Sequence, residues 1–146
     1  MSEALLDVNV LVALAWPNHV HHEWAHRWMR RGQDRDWATC SVTQAGFVRV
    51  SSNRSALPYA RPPLEALDLL RRMTELPGHV FWPDDVDLAR VDWIREVPLV
   101  GHRQVTDVHL LALALARGGR VATFDRSLVG LLPRSVNSDR CVELIA

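Results

Sequence analysis

Short apolar segments alternate along this chain with longer segments of helical periodicity, and this alternation restricts the fold more than any other feature. We predict strands at the apolar segments, which are residues 4–12, 37–40, 80–82, 120–124 and 141–145. The segments between them repeat apolar residues every three or four positions and predict helices over residues 19–31, 41–50, 62–76, 86–93 and 106–117. Buried strands separated by helices are typical of a parallel sheet. The sequence therefore predicts one α/β domain over residues 1–146 with a mainly parallel central sheet.

The composition excludes several classes of reaction. The chain contains 17 arginines, no lysine and 17 acidic residues. It therefore lacks the lysine that a P-loop, a Schiff-base enzyme or a receiver-type phosphoaspartate site requires. Cys40 and Cys141 stand alone, so a zinc cage is excluded. We read no basic leader and no apolar run long enough to cross a bilayer, and we expect a cytoplasmic protein that does not bind membranes.

Three aspartates occupy positions that an ordinary surface acid would not. Asp7 interrupts an apolar strand, Asp107 shares the inward face of the helix at 106–117, and Asp125 follows the apolar segment that ends at Phe124. Each has a simpler explanation, because an aspartate also caps helices, complements a helix dipole or begins a turn. In parallel sheets, however, ligands bind beyond the carboxyl ends of the strands. Together the three acids predict a shared site at that edge.

Carboxylates that converge need a cation or a proton. Two of them about 5 Å apart repel by about 3 kcal/mol at an effective dielectric constant near 20. Oxygen ligands without cysteine favour a hard ion, Mg²⁺ or Mn²⁺. Such ions retain water and bind phosphate, so phosphodiester hydrolysis is the chemistry that this pattern predicts.

At this point the sequence resembles the PIN-domain ribonucleases, and among them the VapC-type toxins of toxin-antitoxin systems. The resemblance spans nearly the whole chain. It rests on L-L-D-V-N-V at 5–10, V-T-Q-A-G-F-V-R-V at 42–50, G-H-R-Q-V-T-D-V-H-L-L-A-L-A at 101–114 and V-A-T-F-D at 121–125. It implies a three-layer α/β/α fold and a Mg²⁺- or Mn²⁺-dependent endoribonuclease.

Carried over to this sequence, the resemblance implies that Asp7, Asp107 and Asp125 are catalytic metal ligands. Asn9 and Thr123 would be supporting polar groups. PIN domains usually add a glutamate from the helix that corresponds to residues 42–50, and we assign its position to Gln44. This departure retains an oxygen ligand but removes a negative charge, so we expect weaker metal binding.

Four other acids are alternative replacements for the missing glutamate. They are Glu23, Asp84, Asp85 and Asp87. Asp84 and Asp85 are read more simply as an exposed turn.

The resemblance also implies partners. We expect an RNA substrate, tRNA or rRNA, a cognate VapB-type antitoxin that inhibits the enzyme, and a homodimer. One alternative is a catalytically weak or inactive PIN-like module that binds RNA or a partner, because Gln44 breaks the acidic set. A second alternative, a phosphatase or receiver-like protein, is disfavoured because the first motif is D-V-N and the receiver's lysine is absent.

The segment that follows Pro17 is rich in histidine and tryptophan. His22 and His26 have helical i, i+4 spacing but no metalloprotease motif, and we predict that the histidines face solvent. Val20, Trp24 and Trp28 recur every four residues, which predicts a core stripe. In VapC-type proteins this region also contributes to the groove for the antitoxin, so part of the stripe is alternatively a recognition surface.

Overall fold

The central element of the protein is a sheet of five parallel strands. The structure is a computed structural model that describes residues 3–32 and 36–145. The strands are β1 (Ala4–Leu6), β2 (Trp37–Cys40), β3 (His79–Trp82), β4 (Arg120–Thr123) and β5 (Val142–Leu144). Their order in the sheet is β3-β2-β1-β4-β5. The predicted α/β fold with a parallel sheet is confirmed.

Helices cover both faces of the sheet. They are α1 (Val8–Ala15), α2 (His22–Arg31), α3 (Ser41–Ser51), α4 (Pro63–Thr74), α5 (Gln104–Ala116) and the short α6 (Ser138–Cys141). Ala4 and Leu6 face a core shared with α1 to α4, whereas Leu5 faces a second core shared with α5. Successive strand residues point to opposite faces, and a strand that is buried on both faces is apolar throughout. These two cores make the three-layer α/β/α arrangement that the sequence predicted.

The first predicted strand is shorter than expected. Val8 to Val12 were predicted to continue β1, but they form the start of α1. Periodicity does not separate the two, because a short helix that is apolar on all sides shows the same continuous run as a buried strand. Asp7 ends the strand, since its carboxylate accepts a hydrogen bond from the Val8 N–H and caps α1. The capping role weighed for Asp7 is thus confirmed.

Two other elements differ from the sequence prediction. The weak helix predicted over residues 86–93 is a pair of 3-10 turns, Leu88–Arg90 and Asp92–Glu96. Leu88 and Trp93, which the prediction placed on one helix, pack partly buried against the second core from these two separate turns. The last predicted strand begins only at Val142, after α6. No helix in the described parts of the chain is both long and apolar enough to cross a bilayer.

The histidine and tryptophan segment packs differently from the prediction. His22 and His26 do not simply face solvent: their rings are half-buried and bond the carbonyl oxygens of Ala13 and Leu14 at the end of α1. Those carbonyls lack helical partners, so the imidazoles satisfy them. The predicted core stripe holds only at Trp28, because Val20 is 82% and Trp24 45% exposed.

Candidate active site

The three predicted acids lie at the carboxyl edge of the sheet. Asp7 follows β1 and Asp125 follows β4. These strands pair in parallel, with Leu6 opposite Ala122, so both aspartates leave the sheet at the same edge. Asp107 comes from the first turn of α5, which packs against β4. Each of the three carboxylates experiences the charge of another, because Asp7 and Asp125 both raise the pKa of Asp107 and Asp125 raises that of Asp7.

Thr123 is the centre of the hydrogen bonds at this edge. Its hydroxyl donates to Asp7 Oδ2 at 2.7 Å and accepts from the Asp125 backbone N–H at 3.0 Å. It also accepts from the Asn9 amide nitrogen at 3.2 Å. A threonine hydroxyl has one donor and two acceptor positions, so all are used. This buried side chain therefore links the ends of β1 and β4 and holds the backbone on which Asp125 lies.

Asn9 joins the same network from α1. Its amide nitrogen lies 3.4 Å from Asp7 Oδ2, and its Oδ1 accepts the Phe124 N–H at 3.3 Å. Both predicted supporting groups, Asn9 and Thr123, therefore contact Asp7. Burial raises the pKa of Asp7, whereas the bonds from Thr123 and the Val8 N–H lower it, so these donors favour its ionised form.

Asp107 is the acid with the most perturbed titration. Burial, then the charge of Asp7, then that of Asp125 raise its pKa from 3.8 to about 6. It accepts no hydrogen bond from any residue in the described ranges. A half-buried carboxylate without a donor and beside two other acids is the arrangement that a bound cation relieves.

Asp125 presents one oxygen to solvent. Its Oδ1 accepts from the N–H and the hydroxyl of Ser127, at 2.9 Å and 2.7 Å. Its Oδ2 has no hydrogen-bond partner among the residues that the structure describes. The turn thus orients the carboxylate and leaves one oxygen available to a ligand.

These acids suit a cation that keeps its water. Within residues 3–32 and 36–145, no three His, Cys, Asp or Glu side chains are close enough to bind one ion together. No arginine or histidine of these ranges forms an ion pair with the three aspartates. Mg²⁺ usually keeps several waters and takes only one or two carboxylates directly. The donor set therefore fits a hydrated Mg²⁺ or Mn²⁺ ion, with the remaining acid bound through water.

No hydrogen bond joins Gln44 to the three aspartates in the part of the chain that the structure describes. Its amide nitrogen donates to the Thr39 hydroxyl at 3.0 Å, and this hydroxyl lies 2.7 Å from Nε2 of His79. The residue of α3 that faces the start of α1 is Gly46, where a Cβ atom would lie 2.6 Å from Val8 Cγ2. Our sequence analysis missed Gly46, although a glycine in the interior of a predicted helix often signals a close approach.

The acids considered as replacements for the missing glutamate have other partners. Asp84 pairs with His109 at 2.9 Å, Asp85 with Arg117 at 3.2 Å and Asp87 with Arg90 at 2.9 Å. Glu23 lies in the first turn of α2 and is exposed. None of the four contacts Asp7, Asp107 or Asp125 in the described part of the chain. Among the described residues, none of these four acids replaces the missing glutamate beside the three aspartates.

Comparison with known proteins agrees with the fold. The family described as PIN domain matches residues 4–130. Ribonuclease VapC39 of Mycobacterium tuberculosis is 52% identical over 125 residues, which cover 86% of this chain and 90% of that protein. Ribonuclease VapC38 of the same organism is 50% identical over 129 residues, 88% of this chain and 89% of the relative. The chain therefore belongs to the PIN-domain family and, within it, to the VapC-type ribonucleases.

Proposed function

We propose that this chain, as one PIN-like domain over residues 1–146, is a metal-dependent endoribonuclease that hydrolyses RNA phosphodiester bonds. One observation carries the proposal. The carboxylates of Asp7, Asp107 and Asp125 lie at the carboxyl edge of β1 and β4, where the charges of Asp7 and Asp125 raise the pKa of Asp107, and none of the three forms an ion pair with an arginine or histidine of the described residues. Membership of a family whose relatives are named ribonucleases supports the same reaction.

The three aspartates are the residues that would hold Mg²⁺ or Mn²⁺. When bound, the ion supplies Lewis-acid polarisation of the scissile phosphate and a water of lowered pKa. Asp125 would contribute its Oδ2 and Asp107 its carboxylate, since neither accepts a hydrogen bond from a residue that the structure describes. Gln44 is left out of this set, because its amide is bonded to the Thr39 hydroxyl of β2.

Thr123 and Asn9 are positioning residues. They act through Asp7, whose Oδ2 accepts from both, and through the Asp125 backbone, whose N–H bonds to Thr123. A carboxylate that is fixed before the substrate arrives loses less conformational entropy when it binds. Thr123 and Asn9 therefore fix the positions of Asp7 and Asp125 but do not contact the reacting atoms themselves.

The partners follow from the family. We propose tRNA or rRNA as the substrate, inhibition by a cognate VapB-type antitoxin, assembly as a homodimer, and a cytoplasmic location where such RNA is found. The names of the relatives, Ribonuclease VapC39 and Ribonuclease VapC38, support an RNA substrate and, through the VapC type, a VapB-type antitoxin.

The test is cleavage of total tRNA and rRNA by the purified protein in Mn²⁺ or Mg²⁺. We expect discrete fragments that disappear with EDTA and with Asp107→Asn. The matched control is Asp68→Asn, which removes an exposed acid from α4 and should leave cleavage intact. A folded wild type that binds RNA but cuts none in either metal would instead identify a binding module without catalysis.

A further inference from the structure

A series of rings leads away from the acidic site. Phe124, immediately before Asp125, stacks on His21 with ring centroids 4.6 Å apart and an interplanar angle of 20°. His21 lies 5.7 Å from His19. The Phe124 N–H also bonds to Asn9, so this series begins inside the network that holds Asp7. The rings connect the acidic site to the surface at the start of α2.

A cavity opens at the far end of this series. It encloses about 470 Å³, and His19, Trp24 and Arg27 are among the residues that line it. Trp24 is 45% exposed although tryptophan is costly to leave in water. The Arg27 guanidinium lies 5.3 Å from the Trp24 ring centroid, over its face. The cavity therefore presents a flat aromatic surface and a flat cation next to each other.

The donors and acceptors of the cavity suit the edge of a nucleobase. His19 Nδ1 accepts the His21 backbone N–H at 3.0 Å, which leaves Nε2–H as the donor of the neutral ring. Burial and the neighbouring His21 and His22 lower the pKa of His19, which favours that neutral form. Glu23, also in the lining, supplies an acceptor.

The charge of α2 is opposite to that of the acidic site. Arg27, Arg30 and Arg31 are exposed along this helix. A phosphate chain is repelled by three aspartates and needs cations nearby to remain in place. Aromatic rings interleaved with arginine are typical of surfaces that bind single-stranded nucleic acid. A duplex does not present its base faces in this way.

We propose that the cavity at the start of α2 is a subsite for an unpaired nucleotide of the RNA substrate, whose base stacks on Trp24 beside Arg27. The arginines of α2 contact the neighbouring phosphates. The subsite deepens the proposed ribonuclease function and rests on it. It makes single-stranded segments, such as loops, the part of the RNA that this protein selects.

The first measurement is binding of a short fluorescein-labelled single-stranded RNA in EDTA, where the RNA stays intact. Trp24→Ala should raise Kd by about 5- to 150-fold, since one base–aromatic stack accounts for that range. Trp24→Phe should restore most of the affinity. The control is Phe81→Ala, which removes a ring with the same 45% exposure from β3, at the opposite edge of the sheet from β5, and should leave Kd unchanged.

The second measurement is cleavage of the same RNA in Mn²⁺. Because the subsite binds the ground state and the transition state alike, Trp24→Ala should raise KM and leave kcat unchanged. Arg27→Gln, an exposed change that leaves Trp24 in place, should raise Kd and lower the salt dependence by about one phosphate contact. This variant keeps the proposal testable if Trp24→Ala does not fold.

Each outcome decides between the two levels of the proposal. A wild type that neither binds nor cleaves RNA overturns the ribonuclease function and the subsite together. A different result overturns the subsite alone. In that case the wild type cleaves RNA, but Trp24→Ala and Arg27→Gln have the same Kd and KM as the control Phe81→Ala. Unchanged RNA affinity in variants that no longer bind an antitoxin peptide would assign the cavity to a protein and also overturn the subsite.

Discussion

Replacing Asp107 with asparagine should stabilise the metal-free protein at neutral pH. Because the pKa of Asp107 is raised to about 6, the folded state binds its proton more tightly than the unfolded state does. Each pKa unit corresponds to about 1.4 kcal/mol, so the full shift corresponds to at most about 3 kcal/mol. The side chain is only half-buried, and solvent screening reduces this to about 1 to 2 kcal/mol.

A smaller loss opposes that gain. Asparagine lacks the negative charge that interacts favourably with the N-terminal first turn of α5, and this loss lowers the stability by about 0.5 kcal/mol. We therefore expect a net stabilisation of about 1 kcal/mol, which raises Tm by about 2 to 4 °C for a chain of this size. The advantage should be complete above pH 6, shrink as the pH falls toward 4, and be absent at lower pH, where both states of the wild type are protonated at this position.

The assay is thermal unfolding in EDTA at several pH values, with Asp68→Asn as the control for loss of one exposed charge. Adding Mn²⁺ should reverse the ranking, because an ion at 100 times its Kd stabilises the wild type by about 2.7 kcal/mol and asparagine weakens its site. An Asp107→Asn protein that is less stable than the wild type in EDTA at pH 7.5 would refute the reasoning. A difference that does not change with pH would refute it as well.

Three further substitutions test the surroundings of the acids. Thr123→Val leaves buried donors without an acceptor, so it should lower the free energy of unfolding in urea by about 1 to 3 kcal/mol and reduce cleavage. Thr123→Ser keeps the hydroxyl and should retain both the stability and the cleavage activity. Equal effects of the two substitutions would contradict the hydrogen-bond network. The Cβ atom that Gly46→Ala adds would overlap the Val8 side chain. After the gain from the higher helix propensity of alanine is subtracted, we expect the free energy of unfolding to fall by about 1 kcal/mol. Val8→Ala shortens the overlapping side chain, so combining it with Gly46→Ala should recover that loss of stability. Losses that simply add in a double-mutant cycle would argue against the overlap. Gln44→Glu should change cleavage in Mn²⁺ by no more than about twofold, and a large gain would return this position to the site.

The parallel sheet and the convergence of the acids could be predicted from the sequence. Buried strands are continuous apolar runs, and Asp7 and Asp125 each follow one. Because β1 and β4 are neighbours in a parallel sheet, residues that follow them must meet at one edge. Asp107 could be placed with them because its helical neighbours at i+3, i+4 and i+7 are apolar and inward.

The detail around the acids could not be predicted. The motif assigned Gln44 to the acidic set, whereas in the structure its amide bonds to Thr39. Which residue of α3 approaches α1 depends on how the two helices pack, and the structure places Gly46 against Val8. Likewise Trp24 belongs to an apolar stripe whose other end, Trp28, is buried, yet the turn before α2 leaves Trp24 half in solvent. Sequence periodicity defines a face of a helix but not how far along its length that face stays covered.

The pairing of β1 with β4 has a consequence for the time at which activity first arises. Asp7 is synthesised near the beginning of the chain, but Thr123, which holds it, lies 116 residues later. Contacts between such distant parts of a chain form late in folding. During translation the acids cannot assemble until the ribosome has made β4 and released it from the exit tunnel. We therefore expect nascent chains that have not yet released β4 to be inactive towards RNA near the ribosome that makes them.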